Sequence, residues 1–210
     1  MQGAQAAPNV AKSSISAART KIGYAPLKSL HEKACVARAD IGAQPHAFYA
    51  GLRLVAMDGS NFEIPDEEAN VAEFGRPGSR TGQSGYPQVQ CAVLVECATR
   101  AILGANLGPY RTAKWDICKP LLALLKPNML CLADRGFTGH AHWKSAGDTA
   151  AQLLWRYGDS RQLPVVKTLS DGSYLSAIYA DQKFRRTRTG VNLQNSISKT
   201  LRLASTHKRS

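Results

Sequence analysis

Two apolar runs of strand type, residues 52–57 (LRLVAM) and Met129–Ala133 (MLCLA), each lead into an aspartate that opens a turn: Asp58-Gly59-Ser60 after the first, Asp134-Arg135-Gly136 after the second. Between them stand two further strand-type runs, residues 89–96 and 100–107. Only Cys97-Ala98-Thr99 separates these two, which predicts a tight antiparallel hairpin. Residues 115–125 then carry apolar side chains at helical spacing (Trp115, Cys118, Leu121, Leu122, Leu125), and Pro127 stops the helix. In a sheet built in this order the first strand is central and the fourth lies beside it. Asp58 and Asp134, 76 residues apart, are therefore expected to meet at the ends of neighbouring strands. The predicted class is α/β, a mixed sheet with flanking helices.

An aspartate at the end of a buried strand is costly unless its charge is compensated, and metal coordination is a standard compensation. Two such carboxylates suit Mg²⁺ or Mn²⁺, hard cations that take oxygen ligands. A pair of these ions is a common device for in-line phosphoryl transfer. Asp-Gly is also an ordinary turn signal, and Asp134 fits a capping role at a strand-to-helix junction. For either aspartate alone the structural reading stands. Two matched strand ends in a chain with basic flanks point to a nucleic-acid phosphodiester.

The charge is distributed unevenly. The 210 residues hold 27 Lys and Arg against 15 Asp and Glu, a net +12. Residues 1–51 contribute +4, residues 52–182 are neutral with thirteen charges of each sign, and residues 183–210 contribute +8 with no acid. The excess belongs to the flanks and suggests an anionic partner, nucleic acid ahead of a membrane surface. No run of eighteen apolar residues occurs, and MQGAQAAPNVAKSS lacks the apolar core of a signal peptide, so a cytoplasmic protein with no membrane association is expected. Five cysteines without CxxC or paired Cys/His spacing support neither disulfides nor zinc.

Along the rest of the chain, residues 1–12 read as a frayed end. A helix is expected over 13–20, capped by Ser13 or Ser14, with Ile15, Ala18 and Ile22 on one face. Gly23 ends it, and Pro26 fits the first turn of a second helix to about residue 39, with Leu27, Leu30, Ala34 and Ala37 along one side. Such a pair can be a DNA-binding helix-turn-helix, although a helical lead-in packed on the main domain is the simpler reading. Residues 61–87 read as a long loop, 140–146 as a helix, and 151–156, 164–169 and 174–179 as short strands. The tail from residue 183 reads as an unpaired strand and a disordered end.

The segments LRLVAMDGSNFEIPDEEAN, FGRPGS, GYPQVQCAVLVECATRAILGANLGPYR, KPLLALLKPNMLCLADRGFTG, LLWR and LPVVKTLSDGSYLS closely resemble bacterial insertion-sequence transposases of the insertion sequence four family, in the DDE group. ISAARTKIGYAPLKSLHE resembles their N-terminal region, so the likeness runs from about residue 13 to 188. The resemblance implies an RNase H-like fold with a β-rich insertion between the second and third catalytic acids. It also implies a Mg²⁺-dependent Asp-Asp-Glu triad that nicks and rejoins DNA at transposon ends, with Asp58 as the first acid and Asp134 as the second. On this reading residues 1–50 form a helical region for binding DNA ends, and residues 51–210 an incomplete catalytic domain whose β-rich insertion starts near 151.

Two departures accompany the likeness. The family's third acid is a Glu in a Tyr-x2-Arg-x3-Glu-x6-Lys motif, and no Glu follows Glu96 here; Asp148, Asp159, Asp171 and Asp181 lie in no such motif. The expectation is a truncated or frameshifted, inactive transposase without its third acid. The second departure is Lys114, where relatives tend to carry Glu; at a helix start it costs only about a few tenths of a kcal/mol.

Arg135 and Arg156 flank the expected site as candidates for DNA phosphate, against an ordinary role as surface arginines. His140 and His142 follow Asp134 and read as solvated surface, because two-metal sites need no histidine base. Tyr86, Trp115, Phe137, Trp143 and Trp155 read as core or rim aromatics. The expected function is DNA binding with Mg²⁺-dependent cleavage and strand transfer on transposon ends and target DNA, with nucleoid association when bound. The alternatives are a non-catalytic DNA-binding remnant and a general RNase H-like nuclease, and a homodimer stays open.

Overall fold

The computed structural model describes residues 10–78, 85–157 and 163–178, together with the backbone of Thr200–Leu203. Residues 1–9 of the start expected to be frayed (1–12) and most of the basic tail lie outside the described residues. The chain divides into two compact units, residues 1–36 and 37–210.

The first unit holds two helices, α1 (Lys12–Ile22) and α2 (Tyr24–Ala34). Gly23 alone separates them, at φ 72°, a left-handed conformation that glycine adopts without a Cβ penalty. The expected serine cap does not form: Ala11 precedes the first helical residue, and no side chain caps the helix. Neither helix buries a residue, and Ile15, Ile22, Leu27 and Leu30 of the expected apolar stripes are exposed.

The second unit is built on a six-stranded mixed sheet: β1 (Phe48–Tyr49), β2 (Leu52–Glu63), β3 (Gln88–Glu96), β4 (Ile102–Pro109), β5 (Met129–Ala133) and β6 (Gln152–Trp155). The strand order is β4-β3-β2-β5-β6, with β1 also paired to β2. β2, β3 and β4 run antiparallel, whereas β5 pairs parallel to β2 and β6 parallel to β5. The first long strand is thus central and the Met129–Ala133 strand its neighbour, as the order of apolar runs predicts.

Three elements differ from expectation. β2 does not stop before Asp58. Its pairing with β5 ends at Met57↔Ala133, but its ladder with β3 continues to Glu63↔Gln88, so Asp58 lies within the strand, one residue past the last β5 pair. The expected loop at 61–87 accordingly loses its first residues to β2, and it also contains α3 (Glu68–Phe74); residues 79–84 lie outside the described set. The expected helix at 115–125 is α4 (Lys114–Cys118) followed by a 3-10 segment, Lys119–Leu124. Pro120 lacks the N–H that a continued α-helix would need.

α4 and its 3-10 continuation cover one face of the sheet. Ile117, Cys118, Leu121, Leu122 and Leu125 join Val55, Met57, Ala92, Leu94 and Cys131 in the core. α5 (His140–Gly147) adds Trp143 and Ala146, and the short turn Arg135–Phe137 buries Phe137 completely. Trp115, Phe137, Trp143 and Trp155 form one cluster of edge and tilted contacts with ring centroids 5.0–6.4 Å apart, a preferred geometry for aromatic packing. Tyr86, by contrast, is exposed. A smaller antiparallel sheet follows, in the order β7 (Val165–Thr168), β8 (Tyr174–Ala177), β9 (Thr200–Leu203). The strand expected to stay unpaired in the tail therefore pairs with β8.

Glu96, at the end of β3, is fully buried. Its carboxylate accepts from the backbone N–H groups of Arg38 and Ala39, from the Thr99 hydroxyl and from the Arg53 guanidinium. Arg53 also donates to the Ala39 carbonyl at 3.0 Å and lies over the Phe48 ring. The segment leading into β1 is thereby fixed to the sheet. A buried charge satisfied on this many sides is the arrangement in which the desolvation cost of an ion pair is offset.

Candidate functional site

Parallel pairing of β2 with β5 brings the two aspartates together. Met57 opposes Ala133, so the next residue of each strand, Asp58 and Asp134, emerges at the same point of the sheet. β6 ends beside them, where the Arg156 N–H donates to the Ala133 carbonyl at 2.9 Å. Arg135 and Arg156 are both exposed at this end of the sheet. The aspartates are not buried: the Asp58 side chain is 68% exposed and that of Asp134 52%. The desolvation cost argued from the sequence is correspondingly small.

Each carboxylate is oriented by a local backbone amide. The Gly59 N–H donates to Asp58 Oδ1 at 2.7 Å, and the Gly136 N–H to Asp134 Oδ1 at 2.9 Å. The second contact is the capping role weighed for Asp134, at the turn Arg135–Phe137. It leaves Asp134 Oδ2 directed elsewhere.

The group that joins the two acids is Lys114. Its ammonium donates to Asp58 Oδ1 at 2.6 Å and to Asp134 Oδ2 at 3.3 Å, and it sits 4.9 Å from the centroid of the Phe137 ring. Its side chain is only 28% exposed. Its stem passes Gly59, where a Cβ would make an ordinary 3.6 Å contact with Lys114 Cε and a tight 3.1 Å one with the Cys91 carbonyl. Partial burial alone would push the Asp58 pKa up. The Lys114 hydrogen bond, the Gly59 amide and the Lys114 charge outweigh it and hold the carboxyl below its ordinary value. For Lys114 burial acts downward, and the two carboxylates overcome it, so the ammonium titrates above its ordinary range.

Sequence reasoning treated Lys114 as a minor departure at a helix start. Its pairing with both aspartates exists only in three dimensions. His142 also departs from expectation. It is half-buried and stacked on Trp115 at 4.1 Å, so it belongs to the aromatic cluster and not to the solvated surface. His140 is half-buried as well.

The chemistry of this donor set does not fit a divalent cation as it stands. Two carboxylates offer hard oxygen ligands, but an ammonium bridges them where a shared cation would bind. No group of three His, Cys, Asp or Glu side chains suited to a metal occurs among the described residues.

Over 188 residues, 88% of its length, the chain is 26% identical to the transposase InsG for insertion sequence element IS4 of Escherichia coli strain K12. Over 131 residues, 61% of the chain, it is 28% identical to the putative transposase InsZ of the same strain. The chain is similar to both transposases, to the first over most of this chain's length. No family model matches it. The matched regions amount to 42% and 43% of these two transposases, so the chain spans about two fifths of their length. No helix among the described residues is long and apolar enough to cross a membrane.

Proposed function

We propose that this chain is a DNA-acting domain of insertion-sequence transposase type, with an RNase H-like sheet that carries two acids of a DDE site, Asp58 and Asp134. The observation that carries this reading is the meeting of the two aspartates one residue beyond the last β2–β5 pair. The strand directions and the similarity to two named transposases support it. The sheet β7-β8-β9 fits the start of a β-rich insertion after the second acid. α1 and α2, with Arg19, Lys21, His31 and Lys33 in their last turns, fit a region that grips DNA ends. Arg135 and Arg156, exposed at the same end of the sheet, would hold the phosphates beside the acids, in keeping with strand cleavage and transfer as the activity of the whole protein.

One observation favours a second reading, DNA binding without cleavage: the Lys114 ammonium already neutralises part of the charge that cleavage chemistry would use. Both readings require DNA binding. Duplexes taken from either side of the coding sequence should bind the chain in preference to a scrambled duplex, with an affinity that falls steeply with salt. Absence of binding at low salt would refute both readings. Nicking that is lost in Asp58→Asn would select the first, and binding without nicking the second.

A further inference from the structure

We propose that Lys114 is a built-in cation that occupies the divalent-metal position between Asp58 and Asp134 and holds the carboxylate pair closed to metal. This rests on the reading of Asp58 and Asp134 as a transposase-type acid pair, and it specifies how that pair behaves in this chain. The ammonium has three partners in one place: Asp58 Oδ1, Asp134 Oδ2 and the face of Phe137. Phe137 is fully buried, and the Lys114 stem lies beside Gly59 on the central strand, so the head group is held and does not sweep freely through solvent.

A divalent ion ligated by both carboxylates needs contacts of roughly 2.0–2.1 Å for Mg²⁺. Those contacts would place it against the ammonium. Like charges at such separations repel, and the two aspartates carry too little negative charge to satisfy both cations. Metal entry therefore requires that Lys114 swing out of its three contacts. The consequence is a pair of acids neutralised in part by the protein itself, able to meet a DNA phosphate next to a fixed ammonium.

The test is Mn²⁺ binding to the 210-residue chain, followed by the electron paramagnetic resonance signal of free Mn²⁺. Lys114→Met keeps the stem beside Gly59 and over Phe137 while removing the charge. It should bind Mn²⁺ at least tenfold more tightly than the unaltered chain, and Lys114→Glu more tightly again. The gain should vanish in Asp58→Asn/Lys114→Met. Equal Mn²⁺ affinity in the unaltered chain and Lys114→Met, within twofold, would overturn the proposal. A measurement on the unaltered chain guards against a variant that fails to fold. Millimolar Mn²⁺ should leave the Gly59 and Gly136 amide resonances sharp, and their broadening at submillimolar Mn²⁺ would overturn the proposal as well. DNA binding measured in chelator separates this inference from the functional reading. A chain that binds no DNA but gains metal affinity in Lys114→Met refutes the transposase-type reading and upholds the lysine bridge, while DNA binding with unchanged metal affinity does the reverse.

Discussion

Lys114 Nζ stands 2.6 Å from Asp58 Oδ1, across 56 residues of sequence, and the contact joins the opening residue of α4 to the central strand. The same ammonium reaches Asp134 at 3.3 Å, so one side chain ties α4, β2 and the end of β5 together.

This bridge has a defined pH window. Asp58 is held below its ordinary value, so its contribution is complete above the unfolded aspartate value of about 3.9 and is lost as pH falls through the lower folded value. Lys114 is held above its ordinary value, so its contribution is complete below about 10.4 and is lost as pH rises through the higher folded value. Carboxyl-carbon NMR of Asp58 should show a titration midpoint below that of an unstructured aspartate, and Lys114→Met should move it upward. An unmoved midpoint would mean that the ammonium does not govern Asp58.

Among the described residues Glu96 is the most heavily committed charge. Replacing it with Ala leaves Arg53 and the Arg38 and Ala39 amides without their acceptor, at an expected cost of about 3–5 kcal/mol. Urea unfolding of the Glu96→Ala variant measures this. A loss under about 1 kcal/mol would show that solvent replaces the carboxylate readily.

Phe137 fills the space beneath Lys114 and contacts both Trp115 and Trp155. Phe137→Ala should destabilise the chain by about 3–5 kcal/mol through lost burial and the cavity left behind. Phe137→Leu should cost less while removing the ring under the ammonium. Thermal unfolding of both variants distinguishes packing from the cation–ring contact.

Gly59 is needed for close approach and not for an unusual backbone angle. Gly59→Val should weaken the β2–β3 ladder, because even a Cβ would stand 3.1 Å from the Cys91 carbonyl, and the branched side chain would also displace the Lys114 stem. Loss of amide-exchange protection at the Ser60↔Cys91 and Gly59↔Ala92 pairs, with β5 unaffected, is the expected pattern.

The cysteines should divide by burial. Desolvation is the main force raising Cys118 and Cys131, both to about 11, and both are buried. Cys97 is exposed. A maleimide at neutral pH should label Cys97 in the folded chain and reach Cys118 and Cys131 only on unfolding. Rapid labelling of all three in the folded chain would contradict this packing.

Much of the architecture was legible because its signals are local. The apolar run Met129–Ala133 bounded by Pro127 and Asp134 is too short for a helix, and it forms β5 at those limits. The hairpin of β3 and β4 follows from two apolar runs and a minimal connection. Other features were hidden because a neighbour decides them. β2 continues through Asp58 to Glu63 because β3 offers it a ladder, although residues 58–63 look like turn sequence. α4 ends early because Pro120 breaks a helix whose apolar spacing alone would carry on. The stripes on α1 and α2 have helical periodicity, but periodicity does not say whether a partner surface covers them.

The sequence by itself determined the order of the long strands, the central place of the first of them and hence the meeting of Asp58 with Asp134, since apolar patterning and connection length restrict a mixed sheet to few orders. Tertiary structure alone decided what stands between them. Strand pairing brings the two carboxylates to one point, and their combined field holds a cation there. In this fold that cation is Lys114, held by a contact between residues far apart in the chain that no local pattern encodes.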